Sequence, residues 1–509
     1  MSREDANSIG GSLPATMTVF MGMTILMILS IFFSLLEVLH YVSLREESVM
    51  LSKIGIESMF ADYCRPMWDE YGILGIDGGY GGESFDMEMM VNRMEEYLAD
   101  NVNVGEFSRG GNHLSLSEDQ CAVMSYGLMT DKAGAPFMKE CAEAAMYGLP
   151  ESLLDGLTEQ ADFAADGQMD WEDMLEAGDD AYQEALEEKQ AGQENEDGTE
   201  DDQNENGSEL TAEEMEEIGN PIEMVLEWKD EGILKQVVSM DAVSAKKLTS
   251  ENRVSVRRLA KGNSKEEPVV SPADRLLFQY YLSESFSSYT HPKERKGLSY
   301  ELEYVIGGED SDKENLAETV ERLLVYRGAM NLISFPRGGD KTAKTQAVAA
   351  ALAAAVANPL IEPVLTTGVT AAWVYAESVL DVRTLLRGGK VAVIKSPEEW
   401  TSDLYALGAC LDMDYRARES NSGVDYQSCL IAMLTMVSHD KVGLRALDVI
   451  ENELRQLPDY RNVKLDNFVY CGTASFGYKA NPVFGSLVTV GRKPGGYSFV
   501  DEESMNYIK

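Results

Sequence analysis

Carboxylates are the first side chains to examine for chemistry in a chain of 509 residues that carries 87 Asp and Glu against 43 Lys and Arg. Glu377 and Asp381 lie four residues apart within an apolar run, so on a helix both face the same side. Such a pair has the composition for general acid and base work, yet like charges so placed repel. A base such as Arg327, Arg383 or Lys390 is therefore expected beside them. Glu303, Asp312, Arg327, Trp373, Glu377, Asp381 and Arg383 are read first as helix caps and core pairs, with partner binding as the competing role. The acids are so numerous that no catalytic pair stands out.

Other motifs fall short of their chemistry. The run Arg337-Gly-Gly-Asp-Lys341-Thr342 has Asp340 where a phosphate cradle requires glycine. Gly78 to Gly82 opens no strand-to-helix unit with a following acid, so it is read as a turn and not as a dinucleotide fingerprint. His40, His113, His291 and His439 are isolated from any recognisable metal ligand. Cys64, Cys121, Cys141, Cys410, Cys429 and Cys471 form no C-x-x-C pair; Cys121 with Cys141 or Cys410 with Cys429 stay open as disulfides, against buried thiols.

Asp202, Asn204 and Asn206, followed by Gly207 and Glu213, have the oxygen-ligand spacing of a calcium loop, but Glu209 replaces the usual apolar residue and no clear helix enters it. A second partial match runs from Asp162 to Asp173 with Ala164 at a ligand position. Near matches of this kind arise readily in acid-rich sequence, so a solvated charge run is the expectation and calcium the alternative. No other cofactor is indicated.

The elements that would hold these residues begin with a membrane anchor. Nothing charged occurs between Asp5 and Glu37, and Met17 to Leu36 is long enough to cross a bilayer once, with Met17, Phe20, Ile25, Leu29, Phe33 and Leu36 as anchoring side chains. A cleaved secretory signal fits less well, because the start is not basic, the run is about twice a typical signal core, and no A-x-A site closes it. Apolar residues continue at helical spacing through Val38, Val42, Val49, Ile56, Met59 and Phe60 without proline until Pro66, so one helix of some 45 residues is expected. Its apolar stripe needs a cover, either the protein's own body or another membrane subunit.

Beyond it the reading is α+β and predominantly helical. The expected division is an N-terminal flank (1–16), the transmembrane helix and its extension (17–63), a membrane-proximal region (64–189), an acidic disordered linker (190–211), a mainly helical distal domain (212–460) and a C-terminal antiparallel β region (461–509). Amphipathic helices are expected at Asp86 to Ala99 and Trp171 to Lys189, a strand at Leu298 to Gly307, and a capped helix from Ser311. Ala343 to Ala357 and Val364 to Leu386 are read as packing helices, because charges and prolines interrupt them as spans; helices at Leu404 to Arg416 and Tyr426 to Leu457 complete the distal core. The net charge of −44 owes −25 to Glu151 through Glu217, and no basic cluster invites nucleic acid.

At this point the residues carry a resemblance. Gly11-Ser12, Thr18-Val19-Phe20, Leu35-Leu36-Glu37, Phe60-Ala-Asp-Tyr63, Arg65-Pro66 and Glu70-Tyr71-Gly72 resemble an uncharacterised family of Gram-positive membrane proteins related to minor pseudopilins of tight-adherence (Flp-type) pilus systems. Glu303-Tyr-Val-Ile306-Gly-Gly308, Asp312-Lys-Glu-Asn315-Leu316, Arg327 with Asn331, Ala372-Trp373, Ala376-Glu377, Asp381-Val-Arg383 and Lys390 resemble its distal domain. The resemblance reaches about residue 400. It implies a single-pass envelope protein with its body outside the cell membrane, noncatalytic, working with other pilus or secretion-system membrane subunits and with no small-molecule substrate. Pilin relatives carry Glu five residues after the processing Gly and before the Phe; Thr16 and Val19 stand there here, which favours a stationary assembly or scaffold part over a stacking subunit. The alternatives are a membrane-tethered hydrolase using carboxylates and a calcium-dependent surface or adhesion protein.

Overall fold

The computed structural model describes residues 13–102, 116–146, 171–193, 210–249, 252–266, 268–335, 339–484 and 495–508. They form two compact units whose segments interleave along the chain. Unit 1 is Met1–Asp131 with Leu259–Pro268 and Asn462–Lys509, and unit 2 is Lys132–Arg258 with Val269–Arg461.

Unit 1 is a small antiparallel sheet laid on two helices. α1 (Leu13–Ala61) is unbroken over 49 residues, as the absence of interior proline after Pro14 predicts. It is the one described helix long and apolar enough to cross a membrane, and none of its most apolar window is buried. Met17, Phe20, Ile25 and Leu29 are exposed, while Phe33 and Leu36 are half-buried. α2 (Arg65–Tyr71) starts on Pro66 and ends at Gly72, whose φ of 68° is left-handed. β1 (Ile76–Asp77) and α3 (Met87–Val102) follow, then β2 (Ser117–Leu128), β3 (Phe468–Ala480) and β4 (Tyr497–Asn506).

β3 is central, with β2 along one side and β1 and β4 along the other, all antiparallel. Alternation then divides its side chains. Ala474, Phe476, Tyr478 and Ala480 join Met90, Met94 and Leu98 of α3 and Leu44, Leu51, Ile56, Met59 and Phe60 of α1 in one core. The protein's own sheet therefore covers most of the apolar stripe on the upper half of α1. Polar residues on that face are satisfied locally: Ser48 donates to Asp501 at 2.7 Å, and Ser52 to Tyr478 Oη at 3.1 Å.

Unit 2 is helical. Its elements are α4 (Asp131–Met146, whose first residue belongs to unit 1), α5 (Trp171–Gln193), α6 (Ala212–Ile218), α7 (Pro221–Asp230), α8 (Ile233–Val237), α9 (Pro272–Ser285), α10 (Glu301–Gly307), α11 (Asp312–Ser334), α12 (Asp340–Ala355), α13 (Glu362–Leu386), α14 (Tyr426–Met436) and α15 (His439–Arg455). α13 is the axis of the unit. Every residue from Ala371 to Leu386 is buried, and α5, α7, α8, α11 and α12 all pack on it. Backbones touch where side chains vanish: a Cβ on Gly178 of α5 would stand 2.8 Å from Gly368 Cα of α13.

Several expectations change. The segment Leu298 to Gly307, expected as a strand, contains the helix α10, closed by Gly308 at φ 86°. Residues 301–306 are buried on every side, and an all-buried segment gives no periodicity that separates helix from strand. Leu404 to Arg416, expected as a helix, is a 3-10 segment over Leu404–Leu411 followed by turns. Tyr426 to Leu457 is two helices, broken where Val437 adopts an extended backbone. The capped helix from Ser311 is present: its side chain accepts from the Glu314 N–H. α5 extends to Gln193, and the acidic run 194–209 lies outside the described residues.

Candidate functional site

The densest gathering of chemistry-bearing side chains is inside unit 2, around α13. Glu377 and Asp381 do face one side of that helix, and both are fully buried. The base between them is Lys395, which contacts Glu377 and stands 2.6 Å from Asp381. From α11, Arg327 adds 2.8 and 3.1 Å bonds to Asp381 Oδ2, to which Asn331 also donates at 2.9 Å. Two carboxylates thus meet two cations, an arrangement that removes the repulsion expected of the pair.

Each member is also held by neutral groups. Glu377 Oε2 accepts the Ser402 N–H and hydroxyl, both at 2.7 Å, and Glu377 accepts the Thr401 N–H at 3.0 Å. Arg327 donates to the Ala392 carbonyl at 2.9 Å. Burial alone would raise Asp381, but Arg327 and Lys395 outweigh it and hold the carboxyl below its ordinary value. An aromatic wall stands alongside, with Trp373, Trp400 and Phe335 packed edge to face at centroid separations of 5.6 to 6.0 Å. Both indoles donate to Ser402 Oγ, at 3.0 and 3.1 Å. Lys341 lies 3.7 Å from the Trp400 ring centroid, and burial pushes its amine down to about 8.

The structure thus brings Arg327, Trp373, Glu377 and Asp381 together and places the other candidates apart. Arg383 turns away from the pair and donates to the carbonyls of Gln236, Cys410, Asp412 and Tyr415. Asp312, the first residue of α11, accepts the N–H groups of Ser299 and Tyr300 and the Ser244 hydroxyl. Glu303 accepts from the Tyr289 N–H and the Tyr426 hydroxyl, both at 2.9 Å, and burial pushes it up to about 7. Lys390, one of the bases expected near the acids, pairs instead with Asp425 at 3.8 Å. Lys395 was the partner that spacing did not reveal, because it arrives from a loop and not from a helix face.

Among the described residues no group of His, Cys, Asp and Glu is arranged to hold a metal. The calcium candidates Asp202, Asn204 and Asn206 lie outside those residues, and Glu213 falls within α6. All six cysteines are buried and free, so neither open disulfide pairing is formed. Unit 1 carries a separate groove of about 490 Å³ over the sheet face, lined by Ser125, Ser264, Glu266, Thr473, Ser504 and Asn506 among others.

Chemically, the α13 cluster is closed. Its acids are occupied by cations and backbone donors, which fits a structural lock better than a reacting pair. No curated protein and no solved structure matches the chain. A family model does, over residues 211–480, which is more than half of the sequence and includes the whole α13 cluster together with β3. The chain belongs to that family, a family of unknown function (DUF5702).

Proposed function

We propose that this chain is a noncatalytic, single-pass cell-envelope protein serving as a stationary assembly or scaffold component of a tight-adherence (Flp-type) pilus or secretion system, with its body outside the cell membrane. The observation that carries the reading is the continuity of α1. Its first half exposes apolar side chains over a membrane-crossing length, and its second half is built into the core of the sheet unit without a break. A body fixed to its anchor in this way suits a part that holds neighbours in place, since no flexible linker separates the two.

The acids support the noncatalytic side of the proposal. A hydrolase using carboxylates needs two of them open to a substrate, whereas Glu377 and Asp381 close over Lys395 and Arg327 at full burial. The partners are the bilayer and other membrane subunits of the assembly, with no nucleic acid and no small-molecule substrate. The test is to extract the full chain in mild detergent after crosslinking in cells. Recovery in a complex with pilus or secretion membrane subunits supports the proposal; recovery as a lone monomer contradicts it.

A further inference from the structure

The apolar face of α1 does not end where the charge-free run ends. Glu37 is the one charged residue between Met17 and Leu44, and Leu35, Val38, Leu39 and Val42 recur at helical spacing with exposures of 51 to 63%. From Met17 to Val42 the helix rises about 39 Å. A bilayer has about 30 Å of hydrocarbon and about 40 to 45 Å with its headgroup layers, so the stretch fills the core and most of one interface or both. Phe33 stands about 24 Å above Met17, still at hydrocarbon depth.

The sheet unit reaches down to that level. Phe484, just past the end of β3, stacks on Phe33 with ring centroids 6.4 Å apart and planes 12° from parallel, and it meets His40 edge-on. Its N–H donates to Glu37 Oε2 at 2.6 Å, while the Tyr497 hydroxyl donates to Oε1 at 2.8 Å. A carboxylate at membrane depth is costly unless donors meet it, and here the sheet supplies them. Just above, Tyr41 packs against Tyr497 and Phe499 at 5.2 and 5.4 Å, the kind of amphipathic rings that settle at headgroup level. Val483, beside Phe484, is 50% exposed. Charges return only at Arg45, Glu46 and Glu47, one turn beyond Val42.

We infer that the end of the sheet formed by 481–484 and Tyr497 is seated in the bilayer interface, so that the lipid surface, and not a protein, covers Leu35, Val38, Leu39, Val42 and Val483. The inference rests on α1 being a membrane span. It makes the body a monotopic wedge as well as a tethered domain, and fixes its height above the membrane.

The test uses the full chain reconstituted in phosphatidylcholine vesicles. Val483→Cys and, as a control on the span, Ile25→Cys are labelled with an environment-sensitive nitrobenzoxadiazole probe, with the parent chain and its six buried thiols giving the background. Seating predicts that lipids brominated near the headgroup quench the probe at 483, lipids brominated deep in the chain quench the probe at 25, and aqueous iodide reaches neither. Quenching at 25 with iodide access at 483 overturns the seating while leaving the span intact. A probe at 483 shielded from both quenchers also overturns it, in favour of contact between two copies. No lipid quenching at 25 removes the span, and the seating with it.

Discussion

Lys395 illustrates how a buried charge is judged by what surrounds it. It sits at 1% side-chain exposure between two carboxylates, so replacing it by Met removes the cation they share and leaves Arg327 paired with Asp381 alone. Breaking one side of such a network costs about 3 to 5 kcal/mol. Chemical denaturation of Lys395→Met should show that loss, and a change below about 1 kcal/mol would contradict a buried lock at this position. Glu303 makes the opposite case, a buried acid with no ion pair among the described contacts and one oxygen without a hydrogen-bond partner there. Burial lifts its folded value to about 7 from 4.5, so the folded state holds its proton more tightly than the unfolded state. Its contribution is then full below about 4.5 and falls as pH rises to 7, by a total of order 3 kcal/mol, staying flat above. Glu303→Gln should remove that slope from a stability-versus-pH series; an identical slope in both proteins would place the titration elsewhere. Spacing in the sequence found the paired acids, because a helix fixes i and i+4, and Arg327 was one of three bases expected beside them. It could not find Lys395, whose position depends on a loop fold.

At the scale of elements, the tightest constraint is the glycine contact of α5 with α13. With Gly178 and Gly368 facing each other, any side chain at 178 must push two helix backbones apart. Gly178→Val should therefore destabilise unit 2 by about 1 to 3 kcal/mol, whereas Glu188→Ala on the exposed face of α5 should stay within about 0.5 kcal/mol. Equal midpoints for the two variants in thermal unfolding would refute the close contact. Long helices with an apolar face were legible from sequence: α1, α3, α5, α12 and α13 all lie where periodicity puts them. Short buried elements were not. α10 alternates Leu, Glu and Tyr in a strand-like pattern, yet its Glu301 and Glu303 are buried with their own partners, so polarity there does not mark a solvent face.

At the scale of the molecule, the two units interleave, with β1 and β2 from the first 128 residues pairing with β3 more than 300 residues later. Composition and pattern give no sign of such distant pairing, which is why a consecutive division into regions was the natural reading of the sequence. The acidic run that suggests a boundary falls between two segments of the same unit, since α5 and α6 both belong to unit 2. What the sequence did make plain is the long apolar N-terminal helix, because an uncharged run of membrane-crossing length needs no tertiary information to be recognised.

An envelope scaffold of this kind requires that α1 span the membrane and that the body lie outside it. A specific protease site inserted between Gln193 and Leu210, followed through a C-terminal tag on intact cells, tests this most directly. External protease should then cut the chain on intact cells, read as a shortened tagged fragment on a denaturing gel, because β3 stays paired with β1 and β2 after the cut. Protection until lysis would place the body in the cytoplasm and contradict the envelope-scaffold proposal.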